Sequence, residues 1–141
     1  MNNKKEVFYF ERGAFFCGSL TYRIEVSDDK YILIGYAHNG FCWMDNIEFE
    51  IPEKELDKLV QLLNPILRWK KKYQIENDVL DGYGWSIRCK YKDKLIKTNG
   101  YEKYPSDYRK IIQSLQGFIE EVGKKYNAKY QIEGFEKRMK L

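Results

Sequence analysis

Two stretches of this chain carry a single apolar stripe at helical spacing, and each follows short segments in which apolar and polar residues alternate. That succession of periods constrains the fold more than any other feature. Leu56, Leu59, Val60 and Leu63 recur at i, i+3, i+4 and i+7, one face of a helix. Pro52 suits the first turn, where a missing N–H has no partner to lose, and Glu53 and Glu55 sit well against the positive end of the helix dipole. This helix is predicted to run to about Asn64, ending before Pro65. The second stripe is Tyr108, Ile111, Ile112, Leu115, Phe118, Ile119 and Val122. Its helix is predicted to start at Tyr104-Pro105-Ser106 and to stop at Gly123.

The alternating segments read as strands. Val7 to Phe10 is aromatic and β-branched, with Gly13 and Gly18 bracketing an irregular stretch after it. Tyr22, Ile24 and Val26 alternate with Arg23, Glu25 and Ser27. Asp28-Asp29 turns the chain into the apolar run Tyr31 to Ile34, and Asn39-Gly40 is a second turn signal. Ile47, Phe49 and Ile51 form the next strand, with Glu48 and Glu50 on a solvated outer face. A middle stretch holds Trp69 and Lys70-Lys71-Lys72. Asp81-Gly82-Tyr83-Gly84 then opens a second unit, with Asp81 expected to cap backbone N–H groups. Trp85, Ile87, Cys89 and Tyr91 alternate with Ser86, Arg88, Lys90 and Lys92, so the strand has an apolar face and a cationic one. Lys92-Asp93-Lys94 reverses direction, Leu95 to Thr98 returns, and Asn99-Gly100 is expected to end that strand.

The two units, residues 1–64 and 80–123, read as a pseudo-repeat ββ(β)α–ββα, with residues 124–141 as a C-terminal tail. A helix with one apolar stripe must bury it. The expected fold is therefore α+β: a single antiparallel sheet with both amphipathic helices packed on one face, in one domain of 141 residues. A chain that is 43% hydrophobic can offset the entropy of ordering itself.

No apolar run reaches the roughly 18 residues of a membrane-spanning helix, and the start of the chain does not read as a secretion leader. Cys17, Cys42 and Cys89 are odd in number and form no C-x-x-C pair, which points to free thiols and a cytoplasmic setting. Charge is uneven along the chain. The first 64 residues carry 7 Lys/Arg against 11 Asp/Glu, and the remaining 77 carry 18 against 10. That polarity can guide an anionic partner to the second half or favour head-to-tail association; it can equally serve solubility alone.

Catalytic chemistry is thinly signalled. His38, the only histidine, lies four residues before Cys42, but no orienting group or oxyanion site accompanies the pair. The alternative is a loop histidine beside a buried thiol. One histidine without paired cysteines also disfavours zinc, and Asp81-Gly82-Tyr83-Gly84 lacks the length and the lysine of a phosphate loop. No catalytic residue, metal or cofactor is assigned. The remaining feature is cations interleaved with aromatics: Arg88, Lys90, Lys92, Lys97, Tyr101, Lys103 and Tyr104 form the expected recognition surface around the second hairpin, and Lys94 and Lys70 to Lys72 add to its basic character.

Leu80-Asp81-Gly82-x-x-Trp85, the basic hairpin and Gly100-Tyr101-x-x-Tyr104-Pro105-x-x-Tyr108 before a helix together resemble a group of small bacterial and phage-borne proteins without an assigned activity. The resemblance covers roughly residues 22–122. It implies an α+β fold in which Asp81, Gly82, Trp85, Gly100 and Pro105 are structural, and it carries over no functional residue. A phage or mobile-element setting would make inhibition of a host defence system one role. The expectation is a non-enzymatic protein acting through macromolecular contact, with a protein as partner and an oligomeric state the sequence leaves open. The alternative is binding of nucleic acid or another anionic ligand through the basic hairpin.

Overall fold

The computed structural model describes residues 4–14, 18–39, 43–74 and 83–126. The chain runs β1 (Lys5–Ala14), β2 (Gly18–Ser27), β3 (Lys30–Asn39), β4 (Trp43–Ile51), α1 (Glu53–Leu63), a 3-10 segment (Asn64–Arg68), β5 (Lys72–Gln74), β6 (Gly84–Tyr91), β7 (Lys94–Tyr101) and α2 (Tyr108–Tyr126). The strands form one sheet in the order β4-β3-β2-β1-β6-β7-β5. The two units meet at β1, which pairs with β2 on one side and β6 on the other.

Strand alternation sorts the sheet into two faces. Phe8 lies level with Ile24, Leu33 and Phe49 across one half and with Cys89 and Ile96 across the other. Phe10 is likewise level with Tyr22, Gly35 and Ile47, and with Ile87 and Thr98. These rows form one core with Leu56, Leu59 and Leu63 of α1 and with Ile111, Ile112, Leu115, Ile119 and Val122 of α2. The expected α+β architecture, with both helices against one side of one sheet, is what the chain adopts. Val7 is an extra residue in the β1–β2 register, and both it and Phe8 are buried.

Several local expectations are corrected. The sheet is mixed, because β5 joins β7 in parallel; three residues are too few to display a period in the sequence. Asn99-Gly100 does not end β7: the Asn99 N–H donates to Lys71 O at 3.1 Å, so pairing with β5 extends the strand to Tyr101. Pro65 does not stop the chain's coiling, since it occupies the opening of the 3-10 segment, where proline loses no hydrogen bond. Helix α2 begins at Tyr108, after a turn whose Tyr108 N–H donates to Pro105 O at 3.1 Å. It passes through Gly123, which is buried, and continues to Tyr126, packed on the core. Burial against the sheet outweighs the glycine's weak preference to terminate. The Asp28-Asp29 turn forms as expected, with φ of 53° and 61°, the left-handed pair that suits a two-residue hairpin. Gly40, Cys17, Cys42, Asp81, Gly82 and residues 127–141 lie outside the described residues.

Candidate functional site

The seven residues expected to form a basic recognition surface are dispersed. Arg88 lies on the open face of the sheet, but its Nε and Nη2 donate to the two carboxylate oxygens of Glu6 at 3.0 and 2.9 Å. Its guanidinium also sits 3.9 Å from the centre of the Tyr9 ring. That hydrogen bond holds the Glu6 carboxyl below its ordinary range and raises the Arg88 pKa, so the charge is already matched within the sheet. Lys90 is exposed on the same face, opposite Leu95. Lys92 is not part of that face. It sits in the β6–β7 turn with φ 53°, and its ammonium approaches Asp57 of α1 at 3.4 Å. Tyr101, half-buried, lies level with Gly84, and the Lys103 carbonyl accepts the Trp85 indole N–H at 3.0 Å. Tyr104 stacks on Trp85 and packs against Tyr108. Trp85 and Tyr91 are buried, as their parity in the strand requires.

Lys97 is the member of the set that the fold places in a cationic, accessible setting. It lies with Lys71 and Lys72 along a groove of about 540 Å³ between the 3-10 segment and the margin of β7. No acidic residue lines the groove, and none of these three ammonium groups is in an ion pair among the described residues. Two leucines open onto it, Leu67 at 50% and Leu95 at 71% exposure.

Among the described residues the main chain of this margin is open too. Among the described residues β5 pairs only with Asn99–Tyr101 of β7. The N–H of Asn99 points outward, to Lys71. Main-chain groups alternate in direction along a strand, so those of Leu95 and Lys97 point outward as well, and no described strand meets them. Thr98, of opposite parity, is buried and donates to Lys70 O at 2.6 Å, which fixes the segment leading into β5 against the margin. Leu67 and Leu95 escape a reading of the sequence. The one available signal is that Leu95 breaks the polar parity of β7, shared with Lys97 and Asn99.

His38 lies on β3 with its Nε2 2.5 Å from Ser19 Oγ on β2, the residue level with it in the register. Its expected partner Cys42 is outside the described residues. The described thiol, Cys89, is buried, and desolvation pushes its pKa up to about 11, so it stays protonated near neutral pH. Among the described residues no cluster of three or more His, Cys, Asp or Glu side chains is placed to hold a metal ion. No described helix is long and apolar enough to cross a membrane. No protein-family model matches the chain, and no curated protein or solved structure matches it.

Proposed function

We propose that the protein is a non-enzymatic binding protein that takes an extended, acidic segment of a partner protein along the outer side of β7. The observation that carries this reading is the main chain of Leu95 and Lys97, open among the described residues and set beside two exposed leucines and three lysines without an ion pair there. A strand added there gains main-chain hydrogen bonds of about 0.5–1.5 kcal/mol each. Covering each leucine contributes about 1–2 kcal/mol more. The lysines give the margin its selectivity, because they repel another basic edge and donate to carboxylates.

The test uses a labelled peptide alternating leucine and glutamate, titrated by fluorescence anisotropy. A lysine-for-glutamate version of the peptide and an oligothymidylate serve as comparison probes. Lys97→Glu and Lys72→Glu are each expected to weaken peptide binding about tenfold, a loss of about 1.4 kcal/mol. Arg88→Gln, which adds no carboxylate opposite Lys97, leaves it unchanged, since the arginine charge is held by Glu6. Lys97→Pro removes an outward N–H without breaking the β6–β7 ladder and abolishes binding. Hydrogen exchange supplies the second readout: the amides of Leu95 and Lys97 exchange fast in the free protein and slowly with the peptide bound. Slow exchange in the free protein, or full affinity in Lys97→Pro, refutes the reading. Steeply salt-dependent binding of the oligothymidylate without peptide binding replaces it with nucleic-acid recognition.

A further inference from the structure

On the central strand of the sheet a partly buried arginine takes a core-facing position. Phe8, Phe10 and Arg12 share one parity on β1, and Arg12 lies level with Leu20 on β2 and Trp85 on β6. Leu20 and Trp85 are buried. The side chain of Arg12 thus enters the layer between sheet and helices, where its Nε is inaccessible and makes no hydrogen bond. Among the described residues no carboxylate pairs with it. The contrast with Arg88 is instructive: there the same fork of donors is spent on Glu6, and at Arg12 it is unspent.

Arg12 lines a cavity of about 550 Å³, a volume within the range of small-ligand sites. Helix α2 supplies one wall through Arg109, Ile112, Gln113 and Gln116, which its 3.6-residue turn puts on one side. Tyr83, Tyr104 and Tyr108 supply aromatic surface. No acidic residue lines the cavity, and Arg109 has no ion pair among the described residues. Burial raises the pKa of both Tyr104 and Tyr108, so these phenols remain neutral donors at neutral pH. Two guanidinium groups, aromatic faces and side-chain amides around one opening are the complement of a phosphate joined to a flat, hydrogen-bonding ring.

We propose that the cavity between β1 and α2 is a nucleotide site, with Arg12 and Arg109 taking the phosphate, the tyrosine rings flanking the base and Gln113 and Gln116 reading its edge. The site shares no lining residue with the β7 groove, so the two proposals stand or fall separately.

Calorimetry with each of the common ribonucleoside monophosphates tests it, with the matching nucleosides and inorganic phosphate as partial probes. At least one monophosphate is expected to bind saturably, and its nucleoside and phosphate alone at least about tenfold more weakly. Arg109→Glu, on an exposed helix position, is expected to lower that affinity about tenfold or more, and Arg12→Met, which keeps the volume but not the charge, to abolish it. A 5′-phosphorylated oligonucleotide distinguishes a free nucleotide from a chain end: binding equal to the monophosphate's assigns the site to a terminus. No saturable binding of any monophosphate up to about 1 mM, or an affinity unchanged in Arg109→Glu, overturns the proposal, and the second result does so even if Arg12→Met fails to fold.

Discussion

Gly100 gives the sharpest test of how the second unit is packed. A Cβ built on it collides with Trp85 Nε1 and meets Cε2 at 2.5 Å and Cζ2 at 2.6 Å. Ordinary carbon contacts lie near 3.5–4.0 Å, so the Trp85 ring must retreat by about 1 Å to admit an alanine. It has nowhere to go. Its centroid is 5.8 Å from that of Trp69, 5.9 Å from Tyr73 and 5.1 Å from Tyr108, and its N–H is held by Lys103 O at 3.0 Å. Overpacking of this kind costs about 1–3 kcal/mol, and a buried indole N–H left without its acceptor costs about 1–3 kcal/mol more. Against this stands a gain of about 0.4–1 kcal/mol from the reduced entropy of the unfolded chain. Gly100→Ala should therefore destabilise by about 1–5 kcal/mol, lowering Tm by the order of 10 °C.

Urea unfolding followed by tryptophan fluorescence and circular dichroism measures the change. Gly117→Ala is the internal control: that glycine is exposed in α2 with nothing within 4 Å of a new Cβ. There alanine should stabilise by about 0.5–1 kcal/mol, so two chemically identical substitutions are expected to have opposite signs. Trp85→Phe should shrink the Gly100→Ala penalty, because the clashing atoms are gone. A Gly100→Ala protein as stable as the parent would refute the reasoning.

Three further outcomes follow from the same contacts. Asp107→Ala removes the carboxylate that accepts the Trp69 indole N–H at 2.8 Å and should cost about 1–2 kcal/mol, with Asp107→Asn retaining part of the bond; equal stability of all three in urea would refute the link. Stability should be flat through neutral pH and fall from about pH 9 upward. Desolvation raises the Cys89 thiol from 9.0 to about 11 and, with a hydrogen bond to Glu53, raises Tyr91 from 10.0 to about 12. The unfolded chain then ionises first, and stability present below its pKa values is lost as pH climbs through the folded ones. Urea midpoints measured from pH 7 to 11 check this, and Cys89→Val should remove the earliest part of the decline. Last, Arg88→Glu faces Glu6 with a like charge and should cost about 1 kcal/mol or less, as befits a pair 41% and 37% exposed, while the swap Glu6→Arg/Arg88→Glu should restore it in thermal melts.

Which face of each element is buried depends on near neighbours and is legible in the order of residues. Trp85, Ile87, Cys89 and Tyr91 declare which face of β6 is buried, and Leu56 to Leu63 and Tyr108 to Val122 declare which side of each helix is. One apolar stripe per helix and one apolar face per strand leave little choice but a two-layer α+β fold. Period, however, names a face and never a neighbour. That β1 stands between β2 and β6, that β5 extends the far edge in parallel, and that Glu6 meets Arg88 across 82 positions are pairings between distant segments.

The same limit governed function. A row of cations on β6 and β7 reads as one basic surface, yet the tertiary structure neutralised Arg88, turned Lys92 toward α1 and gathered Lys97 with lysines from a separate segment. Arg12 is the clearest case. Two residues on from Phe10, its parity was legible, but its meeting with Tyr108 and Arg109 of α2 required the helix to be laid across the end of β1. Distant groups are brought together by burial of the apolar faces, which fixes where each element lies without regard to the polar residues carried along its rim.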